Sequence, residues 1–372
     1  MSSWRECKLG DVVESANTGL DAIKRAPIVD IDTGIKCLRI QDVSQSKKFI
    51  NWGFTQVNEK DYSKFQLKQN DIIIARTGAS IGVKKFISED MKAVFNNGLI
   101  RLRANSEVYP KYLFYNFLST EYDGFIESIS GGTSTQPNMQ IGALLSFDIL
   151  LPPLEEQKAI AEVLSSLDDK IDLLVSQNQT LESLAQTLFR QWFIEEAKEE
   201  WEVGTFGDLV EVSSGKSLKR ELFDDTGKYE VLGANGKIGK TNEWFFEEEL
   251  IYTGRVGTLG NVFLIDEAKK VWLSDNTLVI KPKKYFYFIY FLMIDFQLEN
   301  LNVGSTQPLV RQSDLKNIEI LLPDDEIVLR FEQQSKDIFK KIKQNKKQIQ
   351  TLENLRDTFL PKLLSGEVGV KK

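Results

Sequence analysis

Residues 154–193 read LEEQKAIAEVLSSLDDKIDLLVSQNQTLESLAQTLFRQWF. Apolar side chains recur at Ile160, Leu164, Leu167, Ile171 and Leu174, and again at Leu181, Ala185, Leu188 and Trp192. The steps alternate four and three without a slip, which is the seam of a coiled coil, with Asn178 as its polar member. The pattern returns near the C-terminus at Phe331, Ile338, Ile342, Ile349, Leu352, Phe359 and Leu363, with Ser335, Asn345 and Arg356 as polar members. Helix boundaries are signalled at both places. Pro152-Pro153 precedes the first helix, and Glu155 and Glu156 lie in its first turn. Pro323 precedes the second, with Asp324 at the N-cap and Asp325 and Glu326 following. Acidic residues there complement the helix dipole. Gly366 stands where a C-cap glycine belongs.

What precedes each helix also repeats. Thr135-Gln136-Pro137 returns as Thr306-Gln307-Pro308, Leu151-Pro152 as Leu322-Pro323, and Thr180-Leu181-Glu182 as Thr351-Leu352-Glu353, all offset by 171. Upstream the register loosens: Arg76-Thr77-Gly78 answers Arg255-Val256-Gly257 at 179, and Trp4 with Gly10-Asp11 answers Trp201 with Gly207-Asp208 at 197. The chain is an internal repeat of a globular part followed by a long helix. Each globular part reads as mixed α/β (α+β). Asp71–Ala75 and Leu250–Tyr252 are expected as buried strands running into Gly-rich loops, with Leu99–Arg103 and Leu278–Lys281 as a second matched pair. The aromatic stretches Tyr109–Leu118 and Tyr285–Leu292 are expected as short core helices. The expected domains are 1–152, helix 153–197, 198–322, helix 323–366 and a tail 367–372.

Composition narrows the chemistry. The 372 residues include no histidine, which removes His general bases, Ser-His-Asp arrangements and His-ligated metals. Two cysteines, Cys7 and Cys37, are expected as free thiols. No stretch is apolar enough to span a bilayer and no signal pattern opens the chain, so a cytoplasmic protein with no membrane association is expected. The net charge is −7, and residues 151–200 carry 4 Lys+Arg against 11 Asp+Glu, whereas residues 323–372 carry 11 against 8. Two long helices of opposite charge suit a packed pair.

Two motifs mislead. Ala234-Asn235-Gly236-Lys237-Ile238-Gly239-Lys240-Thr241 is similar to a relaxed P-loop, but Asn242-Glu243-Trp244-Phe245-Phe246 follows where a helix must start. Leu151-Pro152-Pro153-Leu154 is similar to the Asn/Asp-Pro-Pro-aromatic motif of amino-methyltransferases, yet lacks its polar and aromatic ends. Better candidates are the Arg-x-Gly loops. A buried strand delivering Arg76 or Arg255 into a Gly-rich turn offers a fork of donors suited to phosphate or a guanine edge; the competing reading is an Arg paired to a local carboxylate. Lys84, Lys85, Lys216, Lys219, Arg220, Lys237 and Lys240 add potential phosphate contacts. Thr135, Gln136, Thr306 and Gln307 present hydroxyls and amides that suit bases or the capping of a turn.

Taken together, Leu151-Pro152-Pro153-Leu154-Glu155-Glu156-Gln157, Leu167-Asp168-Asp169-Lys170-Ile171, Thr180-Leu181-Glu182, Phe189-Arg190-Gln191-Trp192-Phe193 and the ending Phe359–Val368 resemble the specificity subunits of type I restriction–modification systems. The resemblance implies two target recognition domains, each reading one half of a split duplex DNA target. It implies two conserved helices that pair antiparallel, space those domains and dock two methyltransferase subunits. Those partners would bind S-adenosylmethionine and methylate adenine, and restriction motor-nuclease subunits would join for cleavage. The chain itself would hold no cofactor, no metal and no catalytic residue. The alternative from the residues alone is a coiled-coil scaffold without DNA binding. Antiparallel pairing would place Ile160 on Leu363, Ile171 on Leu352, Leu181 on Ile342, Trp192 on Phe331 and Asn178 on Asn345, and paired seam asparagines would fix the register.

Overall fold

The computed structural model describes residues 4–130, 138–256, 259–301 and 309–370. The chain forms two compact units: residues 1–173 with 349–372, and residues 174–348. Each holds one globular part and a portion of each long helix.

In the first unit Ile72–Ala75 is a central strand, flanked by Leu99–Ala104 and Lys84–Phe86, with Val13–Thr18 outside Leu99–Ala104; all pairings are antiparallel. The apolar run is continuous because both faces of this sheet are covered. Alternate side chains part company: Ile72 and Ile74 enter one core with Ile100 and Leu102, while Ile73 and Ala75 enter another with Leu99, Val94 and Phe95. A second sheet runs Ile28–Val29, Gly53–Thr55, Lys36–Leu38, Ala93–Phe95, its last pair parallel. Arg5–Lys8 pairs with Asp148–Leu151 and leads the chain to the first helix.

The second unit repeats this plan. Leu250–Gly254 is central between Thr277–Pro282 and Val262–Ile265, with Val210–Ser214 outside. Leu250 and Tyr252 face one core, Ile251 the other. Tyr229–Gly233 pairs parallel with Val271–Leu273 and antiparallel with Gly236–Thr241, and Glu202–Thr205 pairs with Glu319–Leu322. The P-loop-like residues are thus a hairpin, with Lys240 and Thr241 in an outer strand and no helix behind them. The aromatic stretches form helices Pro110–Asn116 and Phe286–Asp295.

The first long helix is Leu154–Arg190, continued by a wider turn over Gln191–Glu195; the second is Asp325–Leu364. Gln157 fastens the first to its globular part. Its buried amide donates to Pro152 O at 2.8 Å and Glu107 O at 3.1 Å, and accepts from Tyr109 N–H at 2.7 Å. Asp324 stands just before the second helix, and its carboxylate is held by Lys198 Nζ at 3.0 Å. Gly366, at φ +75°, follows the second helix's end.

Within the first unit Ile160, Ala161 and Leu164 share a core with Leu360, Leu363 and Leu364. Asp168 accepts from Arg356 Nη1 at 3.1 Å and from Tyr115 OH at 2.7 Å, tying both helices to the globular part. Within the second unit Asn345 Nδ2 donates to Asn178 Oδ1 at 2.8 Å and to Gln177 Oε1 at 2.9 Å, and the Trp192 and Phe331 rings lie 6.2 Å apart. Both portions therefore run antiparallel. One seam position differs from expectation: Phe359 is 37% exposed, and its neighbour Leu360 is buried instead. A straight helix drifts about 20° per heptad against a 3.5-residue repeat, and here the globular core, rather than a helix partner, sets the buried face. Similarly Phe339, next to the expected seam residue Ile338, is the more buried of the two and packs on Tyr287, ring centroids 4.8 Å apart.

Candidate nucleic-acid interface

Three chain reversals and one passing segment meet at the same end of each central sheet. They are held by matching main-chain bonds. Gly19 N–H donates to Leu99 O and Leu20 N–H to Phe95 O; in the second unit Gly215 donates to Thr277 O and Lys216 to Leu273 O. Arg76 N–H donates to Gly98 O at 2.9 Å, as Arg255 N–H does to Asn276 O at 2.8 Å. Met139 N–H donates to Arg76 O at 2.8 Å, as Val310 N–H does to Arg255 O at 3.0 Å. Both Arg-x-Gly loops are thereby stitched to the residues that follow the Thr-Gln-Pro stretches. Thr135, Gln136, Thr306 and Gln307 themselves lie outside the described residues. Glycine is required where the strands cross: a Cβ on Gly19 would lie 2.2 Å from Phe95 O, and one on Gly215 2.1 Å from Ser274 O.

The two arginines sit at this crossing with different anchors. Arg76, half-buried, donates from Nε to Met139 O at 3.2 Å, and its terminal nitrogens have no partner among the described residues. Arg255 donates from Nη1 to Ser214 Oγ at 3.3 Å, and its buried Nε has no partner among the described residues. Neither pairs with a carboxylate among the described residues, which sets aside the local ion-pair reading. Lys216 joins the cluster, its Nζ 4.9 Å from the Phe245 ring centre and its carbonyl taken by Trp272 Nε1 at 2.7 Å.

The remaining basic residues lie elsewhere. Lys84 and Lys85 alternate on one strand. Lys84 Nζ is 3.2 Å from Asp123 and lies over Tyr122, while Lys85 lies 5.9 Å from the Trp52 ring, where burial holds its pKa below the usual lysine value. Lys219 pairs with Glu221 at 3.7 Å, beside exposed Arg220. Lys237 pairs with Glu230 at 3.4 Å, and Lys240 follows on the same outer strand. Sequence reasoning passed over Ser214, Asn235, Asn261 and the turns Asn96–Gly98 and Ser274–Asn276. Asn261 Nδ2 donates to Asn235 Oδ1 at 2.9 Å, closing the hairpin onto the second cluster. The one legible signal was the pair Thr18-Gly19 and Ser214-Gly215, at nearly the tryptophan offset.

Among the described residues no group of His, Cys, Asp or Glu is arranged to hold a metal, and no helix is long and apolar enough to cross a membrane. Cys37 is buried, which pushes its thiol up to about 12, far from a reactive thiolate.

The fold and site define an internally duplicated α/β protein, each globular part carrying a matched arginine turn and packed on antiparallel helix portions. A family model described as the type I restriction modification DNA specificity domain matches residues 1–183 and 198–356, and the chain belongs to that family. It is 27% identical to the type I restriction enzyme MjaIX specificity subunit of Methanocaldococcus jannaschii, over 87% of this chain and 84% of that subunit. It is 23% identical to the HindI specificity subunit of Haemophilus influenzae, over 99% and 100%. The crystal structure of the type I restriction–modification S subunit from M. genitalium shares the fold, with TM-score 0.64, 20% identity, and 97% and 96% of the two chains covered. The chain is a DNA sequence-specificity subunit, and that role is non-catalytic. A scaffold without DNA binding is not favoured.

Proposed function

We propose that residues 1–152 and 198–322 are target recognition domains, each reading one half of a bipartite duplex target. The helices 153–197 and 323–366 pair, set the half-site spacing and dock methyltransferase subunits. Those subunits bind S-adenosylmethionine and methylate adenine at sites this chain selects; restriction motor-nuclease subunits join the same assembly. A solved structure of type I complex assembly and conformational transition shares the fold at TM-score 0.50, which is consistent with such partners. The observation that carries the reading is the repeated turn cluster: six main-chain bonds recur in both units while the side chains at the tips differ. One backbone frame with two sets of tips suits two different half-sites, since base contacts specify and backbone contacts position.

The test is to express the chain with its methyltransferase subunit in a host free of adenine methylation and to map methylated adenines. One motif of two unlike blocks separated by a fixed gap is expected. A single uninterrupted block, or methylation without sequence preference, would refute the reading.

A further inference from the structure

The turn entering the strand beside each central one is built alike in both units. It is Asn96-Asn97-Gly98 in the first and Ser274-Asp275-Asn276 in the second. Its first residue donates back to the parallel strand, Asn96 N–H to Leu38 O at 3.1 Å and Ser274 N–H to Leu232 O at 2.9 Å. It is closed by Leu99 N–H to Asn96 O at 3.1 Å and Thr277 N–H to Ser274 O at 3.0 Å. Its last carbonyl is taken by the arginine N–H described above. A turn anchored at three points does not swing, so its tip side chain is presented from a fixed Cα.

The tips are Asn97 and Asp275. Both are exposed, and among the described residues no hydrogen bond or ion pair engages either side chain, although the Asn97 main-chain N–H donates to Leu20 O at 2.8 Å. Asn96 Oδ1 and Ser274 Oγ, at one matched position behind the tips, are buried without a partner among the described residues. Each unit thus brings polar groups with unused hydrogen-bonding capacity to the edge where its arginine emerges.

Resting on the reading above, we propose that this turn is a base-reading element in each unit, with Asn97 selecting adenine and Asp275 selecting cytosine. An amide has one donor and one acceptor side, matching adenine N6 and N7 in the major groove. A carboxylate only accepts. It is repelled by phosphates and by the acceptor edges of guanine and thymine, and beside adenine it meets N7. The cytosine N4 amino group is the edge that rewards it. An unpaired acid on a DNA-facing turn weakens every complex except one with that donor in place, which makes it a discriminator. Arg255, whose N–H is bonded to the same turn, is placed to take the guanine of a G·C pair in this half-site.

The test uses the full chain assembled with its methyltransferase subunits, with methylated adenines mapped for Asp275→Asn, Asp275→Ala and Asn97→Asp. Asp275→Asn is expected to move one position of one half-site from cytosine toward adenine, with discrimination changing roughly five- to a hundred-fold. Asp275→Ala should relax that position without switching it. Asn97→Asp should move a position of the other half-site from adenine toward cytosine. In each variant the untouched half-site stays as in the wild type, which reports intact folding and assembly. The assignment is overturned by variants that methylate the wild-type motif at wild-type efficiency, or by a loss spread evenly over every position. A wild-type complex with no defined motif would instead overturn the underlying reading.

Discussion

Arg76 and Arg255 leave their strands at matched points but are aimed by different contacts, a carbonyl in one case and a serine hydroxyl in the other. Removing either should therefore damage one half-site only. Arg76→Ala and Arg255→Ala are each expected to cost about 1–3 kcal/mol at one position of one half-site if the guanidinium is bidentate to guanine. Competition binding of the assembled complex on duplexes varied base by base checks this; equal weakening on all duplexes would make the residue a phosphate contact. Glu332 carries a second residue-scale prediction. Burial pushes its carboxyl up to about 7, although the Phe288 and Tyr287 N–H groups donate to it at the head of the aromatic helix. An acid with a folded pKa above its reference 4.5 binds more protons when folded. Its stabilisation is full below that reference value and is lost as pH rises through about 7. Wild-type melting temperature should fall over that window, and Glu332→Gln should flatten the fall, gaining about 1 kcal/mol near pH 8 after allowance for partial exposure. Parallel melting curves for the two proteins would defeat this. Of these sites, the arginines were legible from the repeat. Glu332 and the turn tips were not, because their roles come from what packs around them and not from local spacing.

The long helices were the most legible elements, since a seam of strict fours and threes is a one-dimensional signal. The buried strands were legible for the same reason, though not that alternate isoleucines serve two cores. The seam reading slipped at Phe359 and Ile338, where the neighbours Leu360 and Phe339 are the more buried residues and the heptad no longer governs. Gln157 was legible as a sequence feature but not as the clasp it proves to be, because its three partners are 5 to 50 residues away in sequence. At the Asn178–Asn345 layer both amides are buried. Replacing one with Leu strands the other, at about 1–3 kcal/mol. Replacing both removes the polar layer and should cost less than the two single changes together, or even stabilise, while allowing other registers. Urea melts of the two single variants and the double variant form the cycle that checks this. Additive losses would show that the amides do not act as a pair.

At the scale of the whole molecule the governing quantity is charge. The chain reads DNA yet carries a net −7. Much non-specific affinity comes from cations that displace counterions from phosphates, and typical non-specific Kd values are about 10⁻⁴–10⁻⁶ M at physiological salt. Here many cations are already committed: Lys84, Lys219 and Lys237 have carboxylate partners, and Lys343 bridges Asp266 and Glu267. The isolated chain then has specific groups at its turns but little electrostatic grip to hold DNA against them. Its affinity for a duplex carrying the target should fall in the micromolar range or weaker at physiological salt, with a shallow dependence on salt, because few phosphates are neutralised. Adding methyltransferase subunits should tighten binding by orders of magnitude and steepen the salt dependence, since the partners would bring the positive clamp. Fluorescence anisotropy over a series of salt concentrations, with and without the partner, measures both slopes. Nanomolar, sequence-specific binding by the lone chain at physiological salt would mean that base contacts alone suffice and that the division of labour is wrong.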